Sequence, residues 1–144
     1  MERSIHYHIR NTLSKAGFFQ HLKLKELDLF IQKLKIRHYM PGDAIVTQGE
    51  KGNSFHMISE GTADVIVRKG LKKVKVAKLE SGDYFGEMSL LTGEKRNATV
   101  IVTSKVLIFT LYKADFDEVC LSNPRIVEVL KTEALLRKKE LRSS

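Results

Sequence analysis

The chain has 144 residues, 42% hydrophobic and 29% charged, which is the balance of an ordinary globular protein, and one domain of this length buries roughly 70% of its unfolded surface. No apolar run is long enough for a membrane-spanning helix, no secretory signal is expected because Met1 to His6 has no apolar stretch behind its charge, and the single Cys120 excludes an intramolecular disulfide and a multi-cysteine zinc site. A cytoplasmic location is expected, and the formal net charge of +8 raises the question of nucleic acid.

Ile5, Ile9, Leu13 and Ala16 recur every three or four residues, which predicts an amphipathic helix stopped by Gly17. Leu27, Phe30, Ile31 and Leu34 predict a second helix over about Lys25 to Lys35. Beyond Pro41 the period becomes two. Short β-rich runs at 44–46, 55–58, 63–67, 74–76 and 106–111 are separated by Gly42, Gly49, Gly52, Gly61, Gly70 and Gly82, the pattern of a sandwich or barrel. Helical spacing returns after Tyr112 with Phe116 and Val119. Ser122-Asn123-Pro124 then supplies a cap and a first-turn proline for a longer helix carrying Ile126, Val127, Leu130, Ala134 and Leu135. The expected organisation is a helical segment 1–40, a β-roll 41–112 and C-terminal helices 113–141. The paired Gly42-Asp43 and Gly82-Asp83 turns hint at an internal repeat.

The charge follows these boundaries. Residues 1–40 hold eight basic and three acidic side chains, residues 131–144 five and two, and residues 41–130 twelve of each. The β-rich middle is therefore expected to be neutral, with the excess on the helices at both ends.

The densest cluster of unusual residues is 82–100, read as strand, glycine turn, one helical turn, loop and strand. Gly86 permits close backbone approach to a ligand, and a short helix over Met88 to Leu91 points its unpaired N–H groups back toward it, an anion site. Arg96, at the end of the next loop, can bring a guanidinium fork to the same anion. Glu87 beside an anion needs a neutral hydrogen-bond donor, and a ribose hydroxyl fits. Phosphate plus sugar hydroxyl describes a nucleotide.

Phe85-Gly86-Glu87, then Arg96 nine residues after the glutamate and Ala98-Thr99-Val100, resemble the phosphate-binding cassette (85–99) of cyclic nucleotide-binding domains. Pro41-Gly42-Asp43, Gln48-Gly49-Glu50, Gly52, Glu60-Gly61, Gly82-Asp83, Asp115-Phe116 and Asn123-Pro124 fall in the same family's order, so the resemblance covers about residues 18 to 140. It implies a mainly β fold: an eight-stranded β-roll of jelly-roll type with N-terminal helices and two C-terminal helices. It also implies Glu87 on the ribose 2′-hydroxyl, Gly86 and the Met88 and Ser89 amides on ribose and phosphate, and Arg96 on the exocyclic phosphate oxygens. Val65, Val76 and Leu79 would line the base. Phe85, Asn97 and Ala98 complete the cassette. Asn97 stands where members mostly carry Ala, Ser or Thr, and Ala77 removes a side-chain hydrogen bond to the base edge, so the ligand stays open between cAMP and cGMP.

No resident cofactor, metal or catalytic group is expected. His6, His8, His21, His38 and His56 lack ligand spacing, Cys120 reads as packing, and Asp115, Asp117 and Glu118 read as carboxylates at a helix start. The expected function is regulatory: nucleotide binding coupled to movement of the C-terminal helix, with Leu135, Leu136, Arg137 or Leu141 closing over the base. A helix-turn-helix has no place before Ser144, so DNA binding by this chain is not expected. The cytosolic end of a channel, with its parent channel or another effector protein as partner, suits the single sensor; a free-standing sensor is the other context. The basic end helices suit an anionic membrane surface. The rival reading is a degenerate, non-binding β-roll used for protein or membrane-surface interaction.

Overall fold

The computed structural model describes residues 3–132. Two units divide it, Leu34–Lys113 and the helical residues on either side. In the helical unit, α1 (Arg3–Leu13) is followed by a 3₁₀ turn (Gly17–His21), α2 (Leu24–Ile31), α4 (Lys113–Leu121, whose first residue belongs to the other unit) and a helical stretch at 124–132. Their apolar stripes meet in an aromatic core: Phe19 meets Phe30 edge to face at 5.4 Å, and Phe30 stacks on Phe116 at 5.4 Å. Arg10 ties α1 to α2 by donating to Asp28 at 2.9 Å. Among the described residues no helix is long and apolar enough to cross a membrane.

The other unit is a roll of eight strands: β1 (Lys35–Tyr39), β2 (Ala44–Val46), β3 (Ser54–Glu60), β4 (Ala63–Lys69), β5 (Lys72–Leu79), β6 (Tyr84–Phe85), β7 (Thr99–Val102) and β8 (Val106–Tyr112), with α3 (Glu87–Thr92) between β6 and β7. They form two antiparallel sheets, ordered β1-β8-β3-β6 and β2-β7-β4-β5. Ile58, Ala63, Val100, Val102, Val106 and Ile108 form its buried centre. The expected mainly β roll with flanking helices is the observed architecture.

The two Gly-Asp turns are copies of one another. In each, glycine is left-handed (Gly42 φ 96°, Gly82 φ 93°), and the aspartate carboxylate accepts from the backbone N–H three residues before it, Met40 or Glu80, at 2.8 Å. The repeat hinted at by the sequence is thus a repeated turn geometry.

Four expectations are corrected. The second helix ends at Ile31, and Lys35–Tyr39 is a strand, not the tail of that helix. This strand lies on a sheet edge and is largely exposed, so its residues show no buried alternation to betray it. The first helix ends at Leu13, short of Ala16. The Asn123 side chain donates to Val119 O at 2.7 Å, capping the preceding helix's end; its carbonyl, not its side chain, starts the next helix by accepting from Ile126 N at 3.0 Å. Finally, the roll is not neutral. Once β1 joins it and the acidic residues after Lys113 leave it, Leu34–Lys113 contains 13 basic and 8 acidic residues.

Candidate functional site

β6 delivers the chain to Gly86, which has φ 83° and starts α3. No other residue fits there: a Cβ at Gly86 would lie 2.5 Å from Arg96 Nη1 and 2.8 Å from Ser54 O. α3 carries Glu87 in its first turn, where the helix dipole favours a carboxylate, and both Glu87 and Ser89 are buried. Gly93, again left-handed, closes the helix by donating to Ser89 O at 3.0 Å.

The returning loop is gripped by the segment after β2. Gly49 N donates to Arg96 O at 2.8 Å, Arg96 N to Glu50 O at 2.7 Å, and Gly52 N to Glu94 O at 2.9 Å. Gly52 passes so near that a Cβ would lie 2.4 Å from Ser89 Cβ. These glycines fix where Arg96 leaves the backbone.

The Arg96 guanidinium lies against Gly86. Its Nη1 donates to Ser89 Oγ at 2.9 Å, and its Nη2 donates to Ser54 O at 2.7 Å and Ser54 Oγ at 3.0 Å. Ser89 Oγ in turn donates to Gly86 O at 2.6 Å. Burial pushes the guanidinium below its ordinary value, and the Glu50 carboxylate opposes that shift. Neutral oxygens hold the cation, so its charge is oriented without being neutralised.

Beneath lies a polar chain that sequence reasoning missed. His56 is buried between two cross-strand neighbours, Thr110 on β8 and Phe85 on β6. Its Nδ1 is 2.9 Å from Thr110 Oγ1, its Nε2 is 2.9 Å from Ser54 Oγ, and its ring stacks on Phe85 at 4.9 Å. Burial and then the Arg96 charge lower the imidazole from 6.5 to about 3, so it stays neutral at ordinary pH. Arg96 already donates into Ser54 Oγ, which favours Ser54 O–H donating to His56 Nε2, with Nδ1–H donating to Thr110. The available signal was Ser54 and His56 at i and i+2, alternating with the apolar Phe55 and Met57.

The structure thus brings Gly86, Glu87, Ser89 and Arg96 together. Met88 and Ala98 are half-buried and Asn97 is exposed. Phe85 packs on His56 and the roll's core. Val65 and Leu79 also pack against that core, whereas Val76 is 55% exposed. Val65 pairs with Ala77 and Ile66 with Lys75, so Val76 is the extra residue of a β-bulge. Leu135, Leu136, Arg137 and Leu141 lie outside the described residues.

The family model for the cyclic nucleotide-binding domain matches residues 36–123. The chain belongs to the cyclic nucleotide-binding domain family. This domain is 33% identical over 126 residues to a cyclic nucleotide-gated potassium channel of Mesorhizobium japonicum, covering 88% of this chain and 34% of the channel. It is 43% identical over 104 residues to a cAMP-dependent protein kinase regulatory subunit of Yarrowia lipolytica, covering 72% of this chain and 26% of that subunit. Among solved structures, the regulatory domain of Toxoplasma gondii PKA with cAMP matches with a TM-score of 0.71 and 26% identity, over 94% of this chain and 49% of that one. The chain therefore spans about a quarter to a third of the curated relatives named here.

Proposed function

We propose that the chain is a cytoplasmic sensor that binds cAMP or cGMP at Gly86, Glu87, Ser89 and Arg96 and couples occupancy to its C-terminal helix, thereby controlling an attached or partner effector such as an ion channel. The carrying observation is the Arg96 guanidinium, set against Gly86 by Ser54 and Ser89 beside the buried Glu87. A cyclic phosphate brings two exocyclic oxygens to this guanidinium, replacing part of its contacts with Ser54 and Ser89, and Glu87 accepts from the ribose 2′-hydroxyl. Met88 and Ser89 present backbone to the same phosphate, with Phe85, Asn97 and Ala98 framing it. Val65, Val76 and Leu79 take the base, whose edge reads cAMP or cGMP equally against the exposed Asn97 amide. The nucleotide leaves unchanged.

Coupling requires a contact that exists only with ligand bound, and Leu135, Leu136 and Arg137 are the residues we assign to it. Calorimetric titration of the full chain with cAMP, cGMP and a cyclic dinucleotide tests the reading. Binding of a cyclic mononucleotide, recovered intact by chromatography, is the expected result; no binding leaves a degenerate β-roll. Truncation after Lys131 is expected to weaken binding, and unchanged affinity and spectroscopic response would remove the coupling.

A further inference from the structure

The roll's surplus charge is concentrated in one hairpin. Residues 63–79 contain six basic side chains (Arg68, Lys69, Lys72, Lys73, Lys75 and Lys78) and one acidic, Asp64, leaving seven of each sign in the rest of Leu34–Lys113. At its tip, β4 and β5 are joined by Gly70-Leu71 alone, with Gly70 at φ 63° as a two-residue hairpin turn requires. Leu71 is fully exposed, at 105%. Behind it the strands pair Lys69 with Lys72 and Arg68 with Lys73, like charges directly opposite one another.

Two features have no use in the roll itself. Lysines along an edge strand suppress edge-to-edge pairing, and Lys75 and Lys78 on the edge strand β5 serve that purpose. Two successive like-charge cross-strand pairs instead destabilise the hairpin. An apical leucine in a turn gains nothing from the fold, since it touches solvent alone. Yet the tip is firmly held. Gln48 clasps the β4 backbone, donating through Nε2 to Arg68 O at 3.1 Å and accepting from Arg68 N at 2.7 Å. A groove of about 560 Å³ opens beside it, lined among others by Ile66, Ile101, Arg68, Lys73, Thr47 and Thr99.

We propose that this hairpin docks on an anionic lipid surface, with Leu71 entering the acyl boundary, Lys69 and Lys72 at headgroup depth, and one headgroup phosphate seated in the groove between Arg68 and Lys73. Outward order selects this partner. An apolar apex followed by a cationic collar matches the depth profile of an anionic bilayer, acyl chains first and phosphates next. An acidic protein would neutralise the collar but leave the apex unused. The site is separate from the end helices expected to meet a membrane, and it stands whether or not the cassette binds nucleotide.

The test is co-sedimentation of the full chain with phosphatidylcholine vesicles, with and without about one third phosphatidylserine. Binding is expected only to the anionic vesicles, collapsing as salt rises from about 0.1 M to about 1 M, where the Debye length shrinks from about 10 Å to about 3 Å. Leu71→Ser should weaken it about tenfold. Lys69→Glu with Lys72→Glu keeps a like-charge pair but reverses its sign, and should abolish binding. Lys72→Glu alone creates an opposite-charge pair with Lys69, so the melting temperature should rise while vesicle binding falls; a general folding defect moves both down. Absent binding to anionic vesicles, equal binding to neutral ones, or binding indifferent to these substitutions overturns the proposal. Capture of soluble polyglutamate without vesicle binding also overturns it, in favour of an acidic protein.

Discussion

Two cationic regions of the roll present charge in opposite ways. Arg96 is one guanidinium, half-buried, with its fork set by Ser54 and Ser89. The β4–β5 tip crowds four cations onto an exposed turn and pairs them with one another. Placement gives a short-range site for one anion, whereas crowding gives a field that any anionic surface feels. A low-dielectric setting amplifies the first and water screens the second.

The comparison breaks most visibly at Arg96. Arg96→Leu should weaken cyclic nucleotide binding by at least about 100-fold, because charge-assisted bonds carry about 1.5–3 kcal/mol each and two phosphate oxygens lose theirs. Calorimetry reads the loss, a melting curve should show the fold retained, and unchanged affinity would return the cassette to a structural role. Gly86→Ala attacks the same placement through the backbone. Strain at φ 83° and collision with Ser54 O and Arg96 should cost about 1–3 kcal/mol in stability and at least about tenfold in affinity.

A third prediction concerns the floor of the site. His56 titrates at about 3 when folded and near 6.5 when unfolded, so between these values the unfolded chain binds the extra proton. Its contribution is full above about pH 6.5 and is lost progressively as pH falls toward 3. His56→Gln, which keeps a hydrogen-bonding group but cannot titrate, should flatten that part of the stability profile measured by urea melts; an identical acid limb would exclude His56 as its source. The smallest effect sharpens the contrast. Raising salt from about 0.1 M to about 1 M should weaken nucleotide binding by less than tenfold while removing vesicle binding.

Legibility in the sequence follows the same division. Glycines at forced positions, the Gly-Asp turns and the Gly86 to Arg96 spacing announce backbone geometry, and the roll and cassette could be read from them. Pairing partners are another matter. Ser54, His56 and Thr110 are ordinary strand residues until β3 and β8 fix His56 opposite Thr110. The Lys35–Tyr39 edge strand hides because it buries little, and with it hides the charge it adds to the roll. The basic tip was in view throughout but was averaged away by counting to residue 130, where Asp115, Asp117, Glu118 and Glu128 offset it.

β3 carries a further consequence. It is buried continuously from Ser54 to Ile58, paired with β8 along its length and with β6 at His56 and Met57. Amide protons in such a segment exchange with solvent only when the whole unit opens. Since Ser54 and His56 lie within it, the floor beneath Arg96 has no private route to disorder: isotope exchange there should run at the rate of global unfolding, while the Gly70-Leu71 turn exchanges freely. The anchoring point of Arg96 is thus as durable as the roll itself.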